Sequence, residues 1–402
     1  MTAPNASYSP PTLLIGLSTG ASVLGITLIT PALPFISDDF DVSANVAQFL
    51  FTGYLLMLAL SQLVVGPLSD LFGRRPFILL GAIMIACGGL LGMLAKDITA
   101  LIIARILQGL GAGACISMAR AMINDAFTLQ EAARKMASVQ SIQAVIPIVG
   151  LMSGGALIAQ FDWISVMWLM FFAGIILTLL LLTSLKETFF DIKPKLNLAS
   201  IARGYAHVFK VRVFLAFAFV SSTQVGMFFA MNSFLPYRYT ALGVSSLEFG
   251  FWFGLTPASY LLGNLVNRFY LIKFGIERAI MIGCSLCAVS LTALFVTQSQ
   301  GMTHVLALAL PCCLFGFSNG LTVANSVIGG IKSVGANAGT ASGVIGACQM
   351  VVGSLLGGAI IFLGGDENIT LATAVLLGAG LLSMLVACPI YLSRQTKPET
   401  AL

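Results

Sequence analysis

Twelve apolar runs, each about twenty residues long, occupy most of this chain. A helix that crosses the hydrocarbon core of a bilayer needs about 20 apolar residues, so each run is long enough for one span. Charged residues are only 9% of the chain, whereas a soluble domain carries about 25%. We therefore predict an all-α membrane protein with twelve transmembrane helices. The predicted spans are 13–36, 47–69, 77–95, 98–123, 138–160, 164–185, 213–237, 248–271, 279–297, 304–326, 340–363 and 370–392.

The longest polar interruption, residues 186–212, divides these runs into two sets of six. We predict an N-terminal six-helix bundle over 1–190, a cytoplasmic linker over 191–212 and a C-terminal six-helix bundle over 213–402. The Ala-Ser-Ile-Ala-Arg portion of the linker could form a helix at the membrane surface.

Basic residues fall almost entirely on one side of the predicted membrane. With the N-terminus inside, only Lys96 and Arg238 lie on the outer side. Because Lys and Arg collect in cytoplasmic loops, we expect both termini in the cytoplasm. The first twelve residues carry no Lys or Arg and the first apolar run exceeds twenty residues, so we expect that run to be a span rather than a cleaved signal peptide.

The turn between the second and third spans has the sequence G-P-L-S-D-L-F-G-R-R-P, from Gly66 to Pro76. This spacing resembles the loop 2–3 signature of the major facilitator superfamily. After the eighth span, residues 263–268 repeat the spacing, with Asn267 where the first copy has Asp70. The resemblance implies two pseudo-symmetric six-helix bundles, with a substrate site between them near the midplane.

Charged side chains within spans are costly and mark functional positions, and the fourth span carries Arg105 and Arg120. They lie about 60° apart around a helix and roughly 22 Å apart along it. The run L-I-I-A-R-I-L-Q-G-L-G-A-G resembles the fourth-span motif of proton-driven antiporters, with Arg105 and Gln108 in the marked places. The resemblance implies a part in substrate binding or coupling. The alternative is that Arg105 snorkels outward, or pairs with backbone carbonyls and holds the bundle together.

Asp125 lies near the cytoplasmic end of the fourth span. In similar transporters an acid here joins the acid and arginine of the loop 2–3 signature in a charge network that latches the outward-facing state. The resemblance therefore implies a gating charge network of Asp70, Arg74 and Asp125. The alternative is an Asp125 that is unpaired and solvated.

The fifth span carries a glycine motif with Pro147, Gly150, Gly154 and Gly155. These glycines permit close packing against the opposite helix. The antiporter version of the motif usually has proline directly after the middle glycine, where this chain has Leu151. The partial match weakens the argument for antiport.

Three further runs resemble the bicyclomycin-resistance branch of the drug:proton antiporters: T-P-A-L-P from Thr30, M-A-R-A from Met118, and A-G-T-A-S-G-V-I-G-A-C-Q from Ala338. The likeness covers nearly the whole chain. Members of that branch commonly carry an aspartate a few residues before P-A-L-P, and Thr27 stands there in this chain.

None of the fifteen acidic residues lies deep in a predicted span. A cationic drug would thus find no buried carboxylate to offset its desolvation. Arg105 and Arg120 favour an anionic or neutral cargo instead. A coupling proton would have to use an acid near a helix end or the substrate itself.

Polar side chains inside the spans are the expected cavity lining, and interhelical hydrogen bonding is the alternative role for each. The candidates are Thr27, Gln143, Gln224, Asn232, Asn264, Asn319, Asn325 and Gln349.

The function predicted first is secondary-active transport, most simply proton-coupled efflux of small organic compounds by alternating access. The second is a proton-linked or facilitated importer of an anionic metabolite or siderophore-like acid. An intramembrane enzyme would need paired carboxylates, a Ser/His or Ser/Lys couple or His-rich metal ligands in the spans, and the sequence offers none. A non-transporting receptor remains a further alternative. No G-x-x-x-x-G-K-S/T loop is present, so ATP is not the expected energy source.

We expect a small-molecule substrate, protons as the coupling ion, the surrounding lipid bilayer, and a monomer in the bacterial inner membrane. No cofactor or metal is expected, because the eight cysteines all fall within apolar runs and lack a histidine cluster. The net charge of +5 follows from the basic cytoplasmic loops rather than from a nucleic-acid surface.

Overall fold

A computed structural model describes residues 8–190, 198–335 and 338–395. Its α-helices are α1 (Thr12–Leu28), α2 (Leu33–Asp39), α3 (Ala44–Ala47), α4 (Phe49–Phe72), α5 (Arg75–Met93), α6 (Ile98–Ala126), α7 (Leu129–Gln160), α8 (Ile164–Ser184), α9 (Leu198–Lys210), α10 (Arg212–Ala241), α11 (Ser246–Phe269), α12 (Ile276–Ser299), α13 (Leu306–Ser333), α14 (Ala338–Phe362) and α15 (Ile369–Gln395).

Within the described residues, 11 helical segments are long and apolar enough to cross a membrane, with α1–α2 and α3–α4 each counted as one segment. The 24-residue helix α11 lies where the eighth span was predicted. The hydrocarbon core of a bilayer offers no hydrogen-bond partners. Each span must therefore pair its own backbone N–H and C=O groups, which a helix does. The predicted all-α membrane fold is confirmed.

The first span is interrupted near its outer end, where the sequence predicted a continuous run. Residues Thr30–Ala32 form a 3₁₀ turn between α1 and α2. Pro31 and Pro34 are the second residues of the turn and of α2. Since proline has no N–H to donate, it breaks the hydrogen-bond ladder of a helix but fits its first turn.

The fifth span extends further than its apolar run. Helix α7 begins at Leu129, in a polar segment before the predicted start at residue 138. Glu131 accepts hydrogen bonds from the Thr128 N–H at 3.2 Å and from its hydroxyl at 2.9 Å. This capping box fixes the start of the helix, so hydropathy alone placed the boundary too late.

The described chain forms two compact units. The first comprises residues up to Leu198 together with Ser245–Phe251, and the second comprises Ala199–Val244 and the chain from Trp252 onward. Helix α9 confirms that the linker contains a helix, and it belongs to the second unit. Residues 191–197 of the predicted linker lie outside the described residues.

The same pairs of helices contact each other in the two units. In the first unit α1 contacts α6 and α7, while α5 contacts α6 and α8. In the second, α10 contacts α13 and α14, while α12 contacts α13 and α15. These are corresponding pairs in the two sets of six, so the sequence repeat is also a repeat of packing.

In the first unit, glycines allow α6, the fourth span, to pack closely against α4, the second span. Gly109 and Gly113 of α6 face the backbone carbonyls of Tyr54 and Leu58 on α4, and a Cβ on either glycine would overlap the carbonyl oxygen. Such close backbone contact is the main way for membrane helices to gain packing energy, because apolar side chains gain nothing by leaving lipid.

The second unit repeats this crossing. Gly316 and Gly320 of α13 face the backbone carbonyls of Thr256 and Tyr260 on α11, again without room for a Cβ. Both crossings use glycines four residues apart, which lie on one helix face. The backbones therefore approach over about one full turn.

We expect Gly320→Ala to destabilise the protein by about 1–3 kcal/mol, the usual cost of overpacking. The new Cβ would meet backbone atoms of Tyr260 and Asn264, which cannot turn aside as a side chain can. The measurement is the melting temperature in detergent. The control is Gly378→Ala on α15, where nothing lies within 4 Å of the added carbon. Equal melting temperatures for the two variants would contradict the packing argument.

Candidate functional site

Arg105 is completely buried in the first half of α6. Its Nε donates to the carbonyl of Leu50 on α4 at 3.2 Å, and its Nη2 to the carbonyl of Gly25 on α1 at 2.7 Å. Its Nη1 donates to Oε1 of Gln108 at 2.6 Å. One guanidinium thereby connects α1, α4 and α6.

Tyr54 completes the surroundings of Arg105. The tyrosine ring lies 4.3 Å from the guanidinium carbon, and its hydroxyl donates to the carbonyl of Ser22 at 2.6 Å. Among the described residues, no carboxylate pairs with Arg105. Carbonyl dipoles and a ring face orient the positive charge without cancelling it. These contacts fit the alternative in which Arg105 holds the bundle together, and its part in transport stays a prediction.

Gln108 is as deeply buried as Arg105 but only half satisfied. Its Oε1 accepts from Arg105, while its Nε2 has no hydrogen-bond partner within the described chain. The side chain lies against Gly88 of α5, where a Cβ would overlap it. An unpaired buried donor costs free energy, so this amide lowers the stability of the first unit.

Arg120, the second arginine predicted in this span, has a different environment. It is partly buried near the end of α6. No hydrogen bond or ion pair joins it to any residue that the structure describes. Of the two arginines, Arg120 is the one whose guanidinium has no partner in the part of the chain that the structure describes.

The structure brings together the three residues predicted as a gating charge network. Arg74 Nη1 lies 2.7 Å from Asp70 Oδ1, and Arg74 Nε lies 2.9 Å from Asp125 Oδ2. The same guanidinium also donates to the hydroxyl of Ser69. Asp125 is therefore not the unpaired, solvated acid of the alternative interpretation. The gating role itself stays a prediction.

Glu187, just after α8, was missed by the sequence analysis. Its Oε1 accepts from the backbone N–H groups of Arg74, Thr188 and Phe189 at 2.9–3.0 Å. Its Oε2 accepts from the N–H of Arg75 at 3.0 Å. One carboxylate thus ties the end of the sixth span to the start of α5.

The start of α5 explains why a carboxylate binds there. The first N–H groups of a helix have no partner inside the helix, and Arg74, at the N-cap, supplies no side-chain cap. A carboxylate also interacts favourably with the positive end of the helix dipole. The Phe189 ring then lies 4.3 Å from the guanidinium carbon of Arg74. A single acid directly after the sixth apolar run was the available sequence signal.

Thr27, predicted to line the cavity, lies at the contact of α1 with α7. A Cβ on Gly150 would overlap the Thr27 hydroxyl, and one on Gly154 would lie 2.7 Å from the carbonyl oxygen of Leu28. The threonine and the glycine motif of the fifth span are therefore parts of the same helix contact.

The remaining motif residues lie along α7. Pro147 is inside the helix. A Cβ on Gly155 would overlap the carbonyl of Ser246, and one on Gly250 would lie 2.5 Å from the carbonyl oxygen of Leu151, all within the first unit. The motif thus serves contacts on two sides of α7.

Gln224 and Asn319 form a buried polar pair in the second unit. Asn319 Nδ2 donates to the backbone carbonyl of Gln224 at 3.3 Å, and Gln224 Nε2 contacts the Cys284 sulfur at 3.7 Å. The two side-chain amide oxygens are buried and have no partner within the described residues. Both candidates are therefore enclosed by helices α10, α12 and α13.

Asn325 lies against Asn267, the counterpart of Asp70 in the sequence repeat. Its Nδ2 donates to Asn267 Oδ1 at 2.9 Å and to the carbonyl of Leu321 at 2.8 Å. The second unit therefore has a neutral amide pair where the first has an ion-paired acid.

The other predicted lining residues are separate from these groups. Gln349 donates to the Ser221 hydroxyl at 2.8 Å and Asn232 to the Phe228 carbonyl at 2.7 Å. Gln143 and Asn264 are partly buried on α7 and α11. Hydrogen bonding between helices for Gln349, and within a helix for Asn232, thus accounts for the observed positions of these two side chains.

Comparison with known proteins shows which family and fold this chain resembles. The family model of the Major Facilitator Superfamily matches residues 15–358. A Shigella dysenteriae protein named multidrug resistance protein MdtL is 28% identical over 371 residues, covering 91% of this chain and 89% of that protein. A Haemophilus influenzae bicyclomycin resistance protein homolog is 24% identical over 347 residues, covering 86% and 87%. A solved D-xylose-proton symporter superposes with a TM-score of 0.74 at 15% identity, covering 94% and 96%.

We expect Glu187→Gln to lower the melting temperature and to slow transport. Four backbone N–H groups donate to the Glu187 carboxylate, and the amide NH₂ of Gln cannot accept from any of them. The substitution also removes the negative charge that strengthens these hydrogen bonds. An unsatisfied buried donor costs about 1–3 kcal/mol. Both quantities can be measured on purified protein, in detergent and in liposomes.

The control for this variant is Glu367→Gln. Glu367 is exposed between α14 and α15, so its substitution removes the same charge without removing a helix cap. If the two variants melt alike and transport alike, Glu187 does not hold the turn.

Proposed function

Because the chain belongs to the Major Facilitator Superfamily, we propose that this membrane transporter exports small organic compounds from a bacterial cell in exchange for protons. The relatives named for multidrug and bicyclomycin resistance support export. The same proposal places the chain in the inner membrane as a monomer with both termini in the cytoplasm. Alternating access of two related bundles is the mechanism that goes with this family.

The preferred cargo in this proposal is anionic or neutral. One observation carries that preference: no Asp or Glu is among the buried side chains of the described residues, while Arg105 is completely buried. A cation entering such an interior would lose its hydration without gaining a counter-charge. An anion would meet fixed positive charge instead.

Arg120 is the proposed contact for an acidic group of the cargo. Its guanidinium has no partner within the described chain, and arginine can bind a carboxylate through two parallel hydrogen bonds. Arg105 has its donors directed at Leu50, Gly25 and Gln108. In this division of roles, Arg105 positions the helices and Arg120 recognises the cargo.

Asp70 and Asp125 are the proposed sites where protons act on the transporter. Their side chains are 30% and 21% exposed, so water can reach them. Protonation of either acid would remove one of the charges that hold Arg74. The gating network would then weaken, which links a proton to a change of conformation without any acid deep in a span.

The second candidate is an importer of an acidic metabolite that is driven by protons or by its own gradient. It is favoured by the same interior positive charge and by Thr27, which stands where the antiporter branch commonly has an aspartate. The fold is the same in both candidates, so only the direction of coupled proton movement separates them.

We expect Arg120→Gln to raise the KM for an acidic cargo at least several-fold while the melting temperature stays near that of the wild type. A cargo is first found by thermal-shift screening against organic acids and common antibiotics, since a bound ligand raises the melting temperature. Arg120→Lys should restore part of the affinity because it restores the charge without the planar pair of donors.

Arg105→Gln is the matched comparison for Arg120→Gln. It should lower the melting temperature, at a cost of about 1–3 kcal/mol, because it removes hydrogen bonds in a fully buried site. Unchanged transport of an acidic cargo in both Gln variants would refute the anion preference.

We expect a pH-sensitive dye inside liposomes that contain the protein to show exchange of substrate for protons. Acid release from the lumen as substrate enters would support antiport. Acidification of the lumen on substrate uptake would support the importer. Substrate flux without any pH change would overturn proton coupling in either direction.

A further inference from the structure

The turn between α11 and α12 carries three exposed basic side chains. Arg268 lies in the last turn of α11, Lys273 in a short 3₁₀ helix over Leu271–Phe274, and Arg278 in the first turn of α12. All three side chains are exposed. Each lies at or next to the end of a long apolar helix, so the turn presents positive charge where these helices leave the membrane.

The corresponding turn of the first unit is neutralised by acids. There the guanidinium of Arg74 pairs with Asp70 at 2.7 Å and with Asp125 at 2.9 Å. In the sequence repeat, the neutral Asn267 stands where the first unit has Asp70. One of the two acids is therefore replaced by an amide in the second unit.

A base replaces the other acid. Asp125 follows Gly113, a glycine of the crossing between α6 and α4, by twelve residues. Lys332 follows Gly320, the corresponding glycine of the crossing between α13 and α11, by the same number. Lys332 lies in the last turn of α13 and is exposed. The repeat thus has a positive charge in the second unit where the first unit has a negative one.

Lys332 lies at the same end of the second unit as the turn. Ser290 of α12 donates to the carbonyl of Pro311 on α13 at 2.7 Å. Nearer the start of α12, a Cβ on Gly283 would overlap the hydroxyl of Thr322, which lies nearer the end of α13. The two helices are therefore antiparallel, and the end of α13 lies beside the start of α12.

The single acid of this segment cannot neutralise its bases. From residue 249 to residue 365 the sequence has one acid, Glu277, and four Lys or Arg: Arg268, Lys273, Arg278 and Lys332. Glu277 can offset one positive charge, which leaves three. Among the residues that the structure describes, none of the four bases belongs to an ion pair. An anion from outside the chain would therefore meet a net positive charge at this turn.

Aromatic side chains flank the bases. Phe269, Tyr270 and Phe274 are 56%, 66% and 54% exposed. The ring of Phe269 lies 5.6 Å from the guanidinium carbon of Arg268. Exposed aromatic groups beside basic ones are typical of the boundary between headgroups and hydrocarbon. This arrangement favours a lipid over a soluble acidic partner, because rings at the ends of spans lie at the depth of the headgroups.

We propose that the turn between α11 and α12 binds the phosphate of an anionic phospholipid in the surrounding membrane. This phosphate takes the part that the carboxylates of Asp70 and Asp125 have at the turn of the first unit. Lys332 and the three bases of the turn supply the positive charge, and the exposed rings lie against the glycerol and the adjoining acyl chains. The site is independent of which cargo is carried and in which direction.

The test is native mass spectrometry of the full-length protein in detergent, titrated with phosphatidylglycerol or with phosphatidylcholine. For the double variant Arg268→Gln/Lys273→Gln we expect an apparent affinity for phosphatidylglycerol weaker by roughly fivefold for each charge removed. Its melting temperature without added lipid should match that of the wild type, because both side chains are exposed. The charge-preserving variant Arg268→Lys/Lys273→Arg should retain most of the affinity.

A second pair of variants tests the comparison with the first unit. Lys332→Gln should weaken the phosphatidylglycerol affinity by roughly fivefold, since it removes one charge. Lys332→Asp places a carboxylate at the position that Asp125 has in the first unit, and it should weaken the affinity by about 25-fold because the charge changes by two. Equal affinities in these two variants and the wild type would overturn the proposal.

The control is the double variant Lys96→Gln/Arg134→Gln. It removes two exposed charges from the first unit, each within three residues of an acid. Its phosphatidylglycerol affinity should equal that of the wild type, so a loss as large as that of Arg268→Gln/Lys273→Gln would refute a local site. Equal binding of phosphatidylcholine would refute recognition of the anionic headgroup. Competition by soluble glycerol phosphate as strong as that by the lipid would show a site for free phosphate instead.

Discussion

The hydrocarbon core of a bilayer cannot form hydrogen bonds with a polypeptide, and the rest of this structure follows from that constraint. Every span must satisfy its own backbone as a helix, and helices gain little from apolar side chains that lipid solvates equally well. Close backbone contact supplies the packing instead. Glycine pairs such as Gly109 with Gly113, and Gly316 with Gly320, bring α6 onto α4 and α13 onto α11. The two units share this crossing because they share the constraint.

The same constraint governs where charge is found. A buried guanidinium is tolerated at Arg105 because three helices direct neutral acceptors and a ring face at it. At the turn between the second and third spans, the guanidinium of Arg74 pairs with the carboxylates of Asp70 and Asp125. In the second unit the corresponding position has the neutral pair Asn267 and Asn325. The repeat therefore preserves the packing of the helices, while the ion-paired Asp70 of the first unit has the neutral Asn267 as its counterpart.

Hydropathy and short motifs in the sequence predicted much of the fold: the helical class, the places of the spans and the family. Through the resemblance of the loop 2–3 signature, they also predicted that Asp70, Arg74 and Asp125 meet at the turn after α4. Boundaries were less accurate. The start of α7 depends on a capping box at Thr128, and the break in the first span depends on Pro31, and neither feature changes the average apolar character of its segment.

The sequence by itself determined that this chain spans a membrane many times and belongs to a transporter family, because both depend on composition and spacing along the chain. Tertiary structure decided which charged side chains have hydrogen-bond partners within the protein. Arg105 meets Gly25 across 80 residues, and Glu187 meets Arg74 across 113. No local pattern encodes such a meeting, because a side chain's partner is set by how helices cross, and helix crossing is set by packing across the whole unit.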